Sequence, residues 1–161
     1  MPTILQDKNS FNINDYIGKK RILCIDYGDK RIGLAISDIN WIISSPLSIL
    51  ENNNNIYLKL QTIIDEQSVG FILMGAPLNI KGNAEGEQIK KVKEFTDKLL
   101  CEIKGDINIL FWDERMSTNG AMRYIHSEDV KNKKKKQIVD KVAASFILEG
   151  FLSMIRNNIT I

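Results

Sequence analysis

Arg21-Ile22-Leu23-Cys24-Ile25-Asp26-Tyr27-Gly28-Asp29-Lys30-Arg31-Ile32-Gly33-Leu34-Ala35-Ile36-Ser37 decides the fold class. Its first seven residues are a nearly continuous apolar run, the pattern of a strand buried on both faces. Gly28 and Asp29 supply a turn, and Ile32 to Ser37 predicts a second strand returning antiparallel. Trp41 to Leu50 reads as a third strand, placed at an edge because Pro46 cannot donate to a ladder. Beyond the Asn52 to Asn55 run the period changes. Ile56, Leu60, Ile63 and Ile64 recur at helical spacing, Val69 to Met74 is another buried strand, and Ile89, Val92, Phe95 and Leu99 mark a second helix. Asp106 to Trp112 predicts a fifth strand, Ser117 to His126 a third helix, and about Gln137 onward a fourth. This order predicts an α/β fold. Its mixed five-stranded sheet has an antiparallel front meander, then parallel strands joined by right-handed crossovers, with helices on both faces.

The chain has 161 residues, of which 43% are hydrophobic and 26% charged, a globular composition with room for one domain. Residues 21–157 are assigned to that domain, and residues 1–20, polar and rich in Asn and Asp, to an irregular extension. Twenty-two basic against 20 acidic residues leave a net charge of +2, so a nucleic-acid partner must be argued locally. No apolar run approaches the roughly 18 residues of a membrane span, and Met1 to Ser10 lacks a secretion signal's pattern. A cytoplasmic protein is expected. Two cysteines and one histidine exclude a disulfide framework and a structural zinc site, which leaves the chemistry to carboxylates.

Three carboxylate positions qualify. Asp26 is the sole charge in its apolar strand, and burying it alone would cost several kcal/mol without a cation or donor; the plainer reading is a cap on the Gly28 turn. Asp113-Glu114-Arg115-Met116-Ser117-Thr118 follows the strand Ile107 to Trp112, where open α/β sheets bind ligands. Ser117 or Thr118 suits the cap of the next helix and an anion there, while a solvated turn with an internal ion pair is the alternative. Asp140 shares a helical stripe with Ala144, Ile147 and Phe151, although it also lies early enough in its helix to favour the dipole. Converging, these acids would bind Mg²⁺ or Mn²⁺ through hard oxygen ligands and suit phosphodiester hydrolysis. The Gly75 to Gly82 loop lacks the P-loop spacing. Lys131 to Lys136, five lysines among six residues, reads as a solvated run or a phosphate-attracting one, just ahead of the helix bearing Asp140.

Four ordered motifs resemble the YqgF-type proteins, described as pre-16S rRNA nucleases or Holliday-junction-resolvase-like proteins. They are Ile25 to Ala35, Gly75-Ala76-Pro77-Leu78-Asn79 with Gly82, Asp113 to Thr118, and Val139-Asp140-Lys141-Val142-Ala143-Ala144. The match covers about residues 21 to 154. It implies a ribonuclease-H-like fold, dependence on Mg²⁺ or Mn²⁺, and trimming of the 5′ end of the small-subunit ribosomal RNA precursor, with branched DNA as the other substrate proposed for members. It also implies acids at Asp26, in the Asp113-Glu114-Arg115 segment and at Asp140. Asp26, Glu114 and Asp140 are taken as metal ligands and catalytic residues, with Asp113 sharing or replacing that task. Lys30, Arg31, Asn79, Arg115, Ser117, Thr118, Lys133 and Lys134 are taken as nucleic-acid contacts. The chain departs from the wider group at Gly75-Ala76-Pro77, where an acid is usual, and at Lys81. The second carboxylate must then come from the next strand, roughly 9.6 Å from the first if one strand lies between them. That distance favours the longer Glu114, but alternation along the sequence does not separate it from Asp113.

Two other functions compete with a nuclease. A non-catalytic nucleic-acid-binding module of the same fold would not need these carboxylates to bind metal. Asp26 to Gly28 also resembles the phosphate loop of actin and sugar kinases, which need two related lobes where this chain supplies one.

Overall fold

The computed structural model describes residues 1–5, 10–76, 86–114 and 133–159, the side chains of 133–141 and 158–159 excepted. Its strands are β1 (Thr3–Leu5), β2 (Arg21–Asp26), β3 (Arg31–Ser37), β4 (Ser44–Glu51), β5 (Val69–Ala76) and β6 (Asn108–Asp113). The helices are α1 (Ile56–Glu66), α2 (Glu87–Glu102) and α3 (Lys133–Ile159). The strands form one sheet in the order β1-β6-β5-β2-β3-β4. Here β2, β5, β6 and β1 run parallel, and β2, β3 and β4 form the antiparallel meander. The α/β class, the mixed sheet and the meander are as the sequence predicts, and β4 with Pro46 lies at an edge.

Pleating sorts the apolar residues into two layers. Leu23, Ile25, Ile72, Met74 and Ile109 face α1 and α2, which bring Ile56, Leu60, Ile64, Ile89, Val92, Phe95 and Leu99. Ile22, Cys24, Phe71, Leu73, Leu110 and Trp112 face α3, which brings Ala144, Ile147, Leu148, Phe151 and Leu152. All eight residues of β5 are buried, which is why Val69 to Met74 reads as an unbroken apolar run.

The sheet has six strands rather than five. The additional one, β1, lies beside β6 with Thr3 opposite Asn108. A strand of three residues is too short to show alternation, and its polar surroundings hide it. Phe11, Ile13, Tyr16 and Ile17 pack on the α3-side core, and the Phe11 and Phe71 rings lie 4.9 Å apart. The Asn108 amide also donates to the Tyr16 hydroxyl.

The third strand begins at Ser44 and not at Trp41. Asp38 explains the delay: its Oδ1 accepts the Ile42 and Ile43 N–H groups at 2.6 and 2.7 Å, and Oδ2 accepts Asn40 N–H at 3.2 Å. Burial alone would raise the Asp38 carboxyl, but the backbone donors from Ile43, Ile42 and Asn40 outweigh it and hold it below its ordinary value. Because the folded-state value is lowered, this contribution to stability is present near neutrality and is lost as pH falls through it. Trp41 then takes a left-handed φ of 59°, costing about 1–3 kcal/mol. Burying an indole that is 2% exposed and donates to Lys20 O at 2.9 Å offsets that strain.

The final helix starts at Lys133 and not near Gln137, so Lys133 to Lys136 are helical rather than ahead of the helix. Lysine is a good helix former, and the apolar period that betrays a helix in sequence begins only after it. The expected helix over Ser117 to His126 falls outside the described residues.

Cys24 is fully buried and Cys101 exposed. Burial first, and the Asp26 charge second, push the Cys24 thiol well above its ordinary value, leaving no thiolate to react at neutral pH. A native protein treated with a thiol reagent is therefore expected to titrate one cysteine quickly and the second only after unfolding. Two fast equivalents would contradict the buried position of Cys24.

Candidate active site at the carboxyl end of the sheet

The register brings three strand ends level. Asp26 pairs with Gly75, Gly75 with Trp112, and Ala76 with Asp113. One strand, β5, lies between β2 and β6, which sets the two acidic strand ends about 9.6 Å apart.

The pleat then assigns faces. Asp26 follows Ile22 and Cys24 at intervals of two and points to the α3 side, and its charge is felt at the Cys24 thiol. Asp113 pairs with Ala76 and follows Phe111, both of which pack on the α1 and α2 side. Glu114, one residue past the ladder, follows Trp112 by two, and Trp112 packs on the α3 side. Alternation thus carries Asp113 to the face opposite Asp26, while Glu114 stands one residue on, where the chain has left the strand for a 3₁₀ turn. All three are half-buried.

Helix α3 descends from this end of the sheet. Ile147 meets Gly75, Phe151 stacks on Phe71 four residues earlier in β5 with centroids 5.9 Å apart, and Arg156 donates to Ile42 O at 2.7 Å. The backbone of Asp140 is seven residues before Ile147, about 10.5 Å up the helix axis. Ile147 itself stands level with Asp26, because Gly75 pairs with that residue, and Asp140 precedes it on the same helix. The side chains of Asp140, Lys133 and Lys134 are outside the described set, as are Asn79, Lys81, Arg115, Ser117 and Thr118 altogether.

Gly75 is the contact that lets α3 come this close. A Cβ there would stand 3.0 Å from Ile147 Cδ1 and 3.5 Å from Ile25 O. Gly75→Ala asks only a flexible methyl to yield and is expected to cost little. The bulkier Gly75→Val is expected to lower stability by about 1–3 kcal/mol, read by denaturant unfolding. Equal stability of the two variants would mean that Gly75 does not set the helix position. The missing acid at this strand end thus coincides with tight packing between β5 and α3.

The turn after Asp26 is tightly held. A Cβ on Gly28 would lie 2.3 Å from Arg31 O, so only glycine fits. Asn52 Nδ2 donates to Gly28 O at 2.9 Å, and Asn52 N–H to Lys30 O at 2.9 Å. Lys91 Nζ lies 3.1 Å from Asp29 Oδ2, tying the turn to α2. Lys30 is exposed at the tip and Arg31 opens β3. The sequence reading passes over Asn52 and Lys91, because an asparagine in a run of four and a lysine among helical lysines carry no pattern of their own.

The donors suit a hard divalent cation: they are carboxylate oxygens at a half-buried edge. Among the described residues no three such side chains cluster, and the third acid of the expected set is Asp140. The same described residues hold no helix long and apolar enough to cross a membrane.

Comparison with known proteins gives a family match, sequence relatives and a likeness of fold. The family model described as "RuvX: Holliday junction resolvase" matches residues 20–154. A Ruminiclostridium cellulolyticum protein named "Putative pre-16S rRNA nuclease" is 40% identical over 141 residues, 86% of this chain and 97% of its own. A Sulfurihydrogenibium protein of the same name is 39% identical over 132 residues, 82% and 89% of the two chains. Among solved structures, Thermus thermophilus RuvC in complex with a Holliday junction superposes with a TM-score of 0.52 at 8% identity. The overlap covers 84% of this chain and 96% of that one, a likeness of fold.

Proposed function

Because the chain belongs to the RuvX family of Holliday junction resolvases, a family of nucleases, we propose that it is a metal-dependent endonuclease that matures the 5′ end of precursor 16S ribosomal RNA in the cytoplasm. The observation that carries the site is the shared face. Asp26 lies on the α3 side at a strand end level with that of β6, which Glu114 directly follows, and α3, whose backbone includes Asp140, packs on that same face. Asp26, Glu114 and Asp140 would hold Mg²⁺ or Mn²⁺, with Asp113 on the opposite face in a supporting place. Bound there, the cation supplies an activated water and stabilisation of the leaving oxygen.

The chain's own residues do the rest. The half-buried edge limits water around Asp26, which sharpens electrostatic contacts there. Lys30 and Arg31, presented by the fixed turn, bind backbone phosphates beside the acids, with Arg115, Lys133 and Lys134 as further cationic contacts and Asn79, Ser117 and Thr118 as polar ones.

A four-way DNA junction is the second substrate, favoured by the family description. The deciding experiment incubates purified protein with a precursor 16S fragment and with a four-way junction, each with Mn²⁺ and with chelator. Metal-dependent cleavage of the RNA near the mature 5′ end supports the reading. Cleavage of the junction alone reassigns the substrate, and inertness toward both overturns the nuclease.

A further inference from the structure

We propose that Asn52 is a positioning residue for substrate binding, acting through the turn that carries Lys30 and Arg31. The inference rests on the nuclease reading above, in which that turn faces phosphates. Residues 27–30 connect β2 to β3 directly after Asp26. Such a connection would swing freely if only its ends were held. It is instead fastened at both sides by one residue: the Asn52 amide takes the Gly28 carbonyl, and the Asn52 backbone N–H takes the Lys30 carbonyl. The second bond adds a rung past the Arg31 and Glu51 pair, so the turn continues the β3–β4 ladder. The first depends on the side chain alone and is partly buried, which makes it the one a substitution can remove without breaking the ladder.

The neighbouring asparagines do different work. Asn53 Oδ1 accepts Asn55 N–H at 3.0 Å and closes the approach to α1, without touching the turn. The Lys91 and Asp29 pair steadies the tip from α2, but both side chains are about half exposed and salt screens them. Asn52 is therefore the principal fastening, and one of its partner atoms belongs to Lys30 itself, next to Arg31.

The test compares Asn52→Ala with Asn53→Ala in the full-length protein, using a fluorescent precursor 16S fragment and a fluorescent four-way junction. Kd is read by anisotropy with chelator present, and KM and kcat with Mn²⁺. Asn52→Ala is expected to raise Kd and KM about fivefold to tenfold, the worth of one partly buried hydrogen bond, with kcat within about twofold. Asn53→Ala is expected to lower the melting temperature without moving KM. An unchanged KM in Asn52→Ala, or an equal rise in Asn53→Ala, overturns the inference while the parent's cleavage leaves the nuclease reading standing. A parent that neither binds nor cuts either probe overturns both.

Discussion

Asp26→Asn is expected to reduce Mn²⁺-dependent cleavage by well over 100-fold, beyond the roughly 10- to 100-fold that supporting residues of metal sites command. The reason is positional. Asp26 sits at the end of a strand whose four preceding residues are fully buried, on the face that α3 covers. Asparagine keeps the shape and removes the charge, so the fold is expected to persist. A second readout needs no substrate: Mn²⁺ should raise the parent's melting temperature by mass action and leave that of Asp26→Asn unmoved. On the proposed ligand set Glu114→Gln should behave like Asp26→Asn, while Asp113→Asn, on the other face in a supporting place, should lose no more than about 10- to 100-fold. Persistent Mn²⁺-stimulated cleavage by Asp26→Asn would remove Asp26 from the mechanism.

Which parts of this were legible beforehand follows from what a one-dimensional pattern can encode. β2, β5 and β6 are central strands, so their apolar runs stand out, and Asp26 stands out as the acid that closes the run of β2. The helical stripes of α1 and α2 are equally plain: of the residues predicted to line them all are buried except Ile63, which is partly so, and Thr96 joins them in α2. β1 was not legible, since three residues held by a neighbouring strand show no period of their own. Nor was the late end of the loop before β4, which depends on one carboxylate collecting three backbone N–H groups. Glu114 and Asp113 could not be separated in sequence because faces become known only through register, here the pairing of Ala76 with Asp113. Asn52 was invisible for a related reason: its partners are 22 to 24 residues away in sequence and are carbonyls, which every residue has.

Phe151→Ala is expected to give the largest loss of stability, about 3–5 kcal/mol by denaturant unfolding and roughly 10 °C in melting temperature. Phe151 is fully buried, lies 5.9 Å from Phe71 and meets Trp112 edge-on at 5.3 Å, with Trp41 and Phe11 each at 6.4 Å. Its removal opens a cavity whose walls belong to α3, β5, β6 and the N-terminal segment at once, so no single element can shift to fill it. The same contact helps fix the height at which α3 crosses the sheet, and Asp140 lies eleven residues up that helix. Below its melting transition the variant should therefore need more Mn²⁺ for half-maximal cleavage, while Phe151→Leu recovers most of both losses. A Phe151→Ala protein destabilised as expected but with unaltered Mn²⁺ dependence would show that the helix keeps its upper turns in place without this anchor. The packing of Ile147 against Gly75 would then be the contact that sets the site.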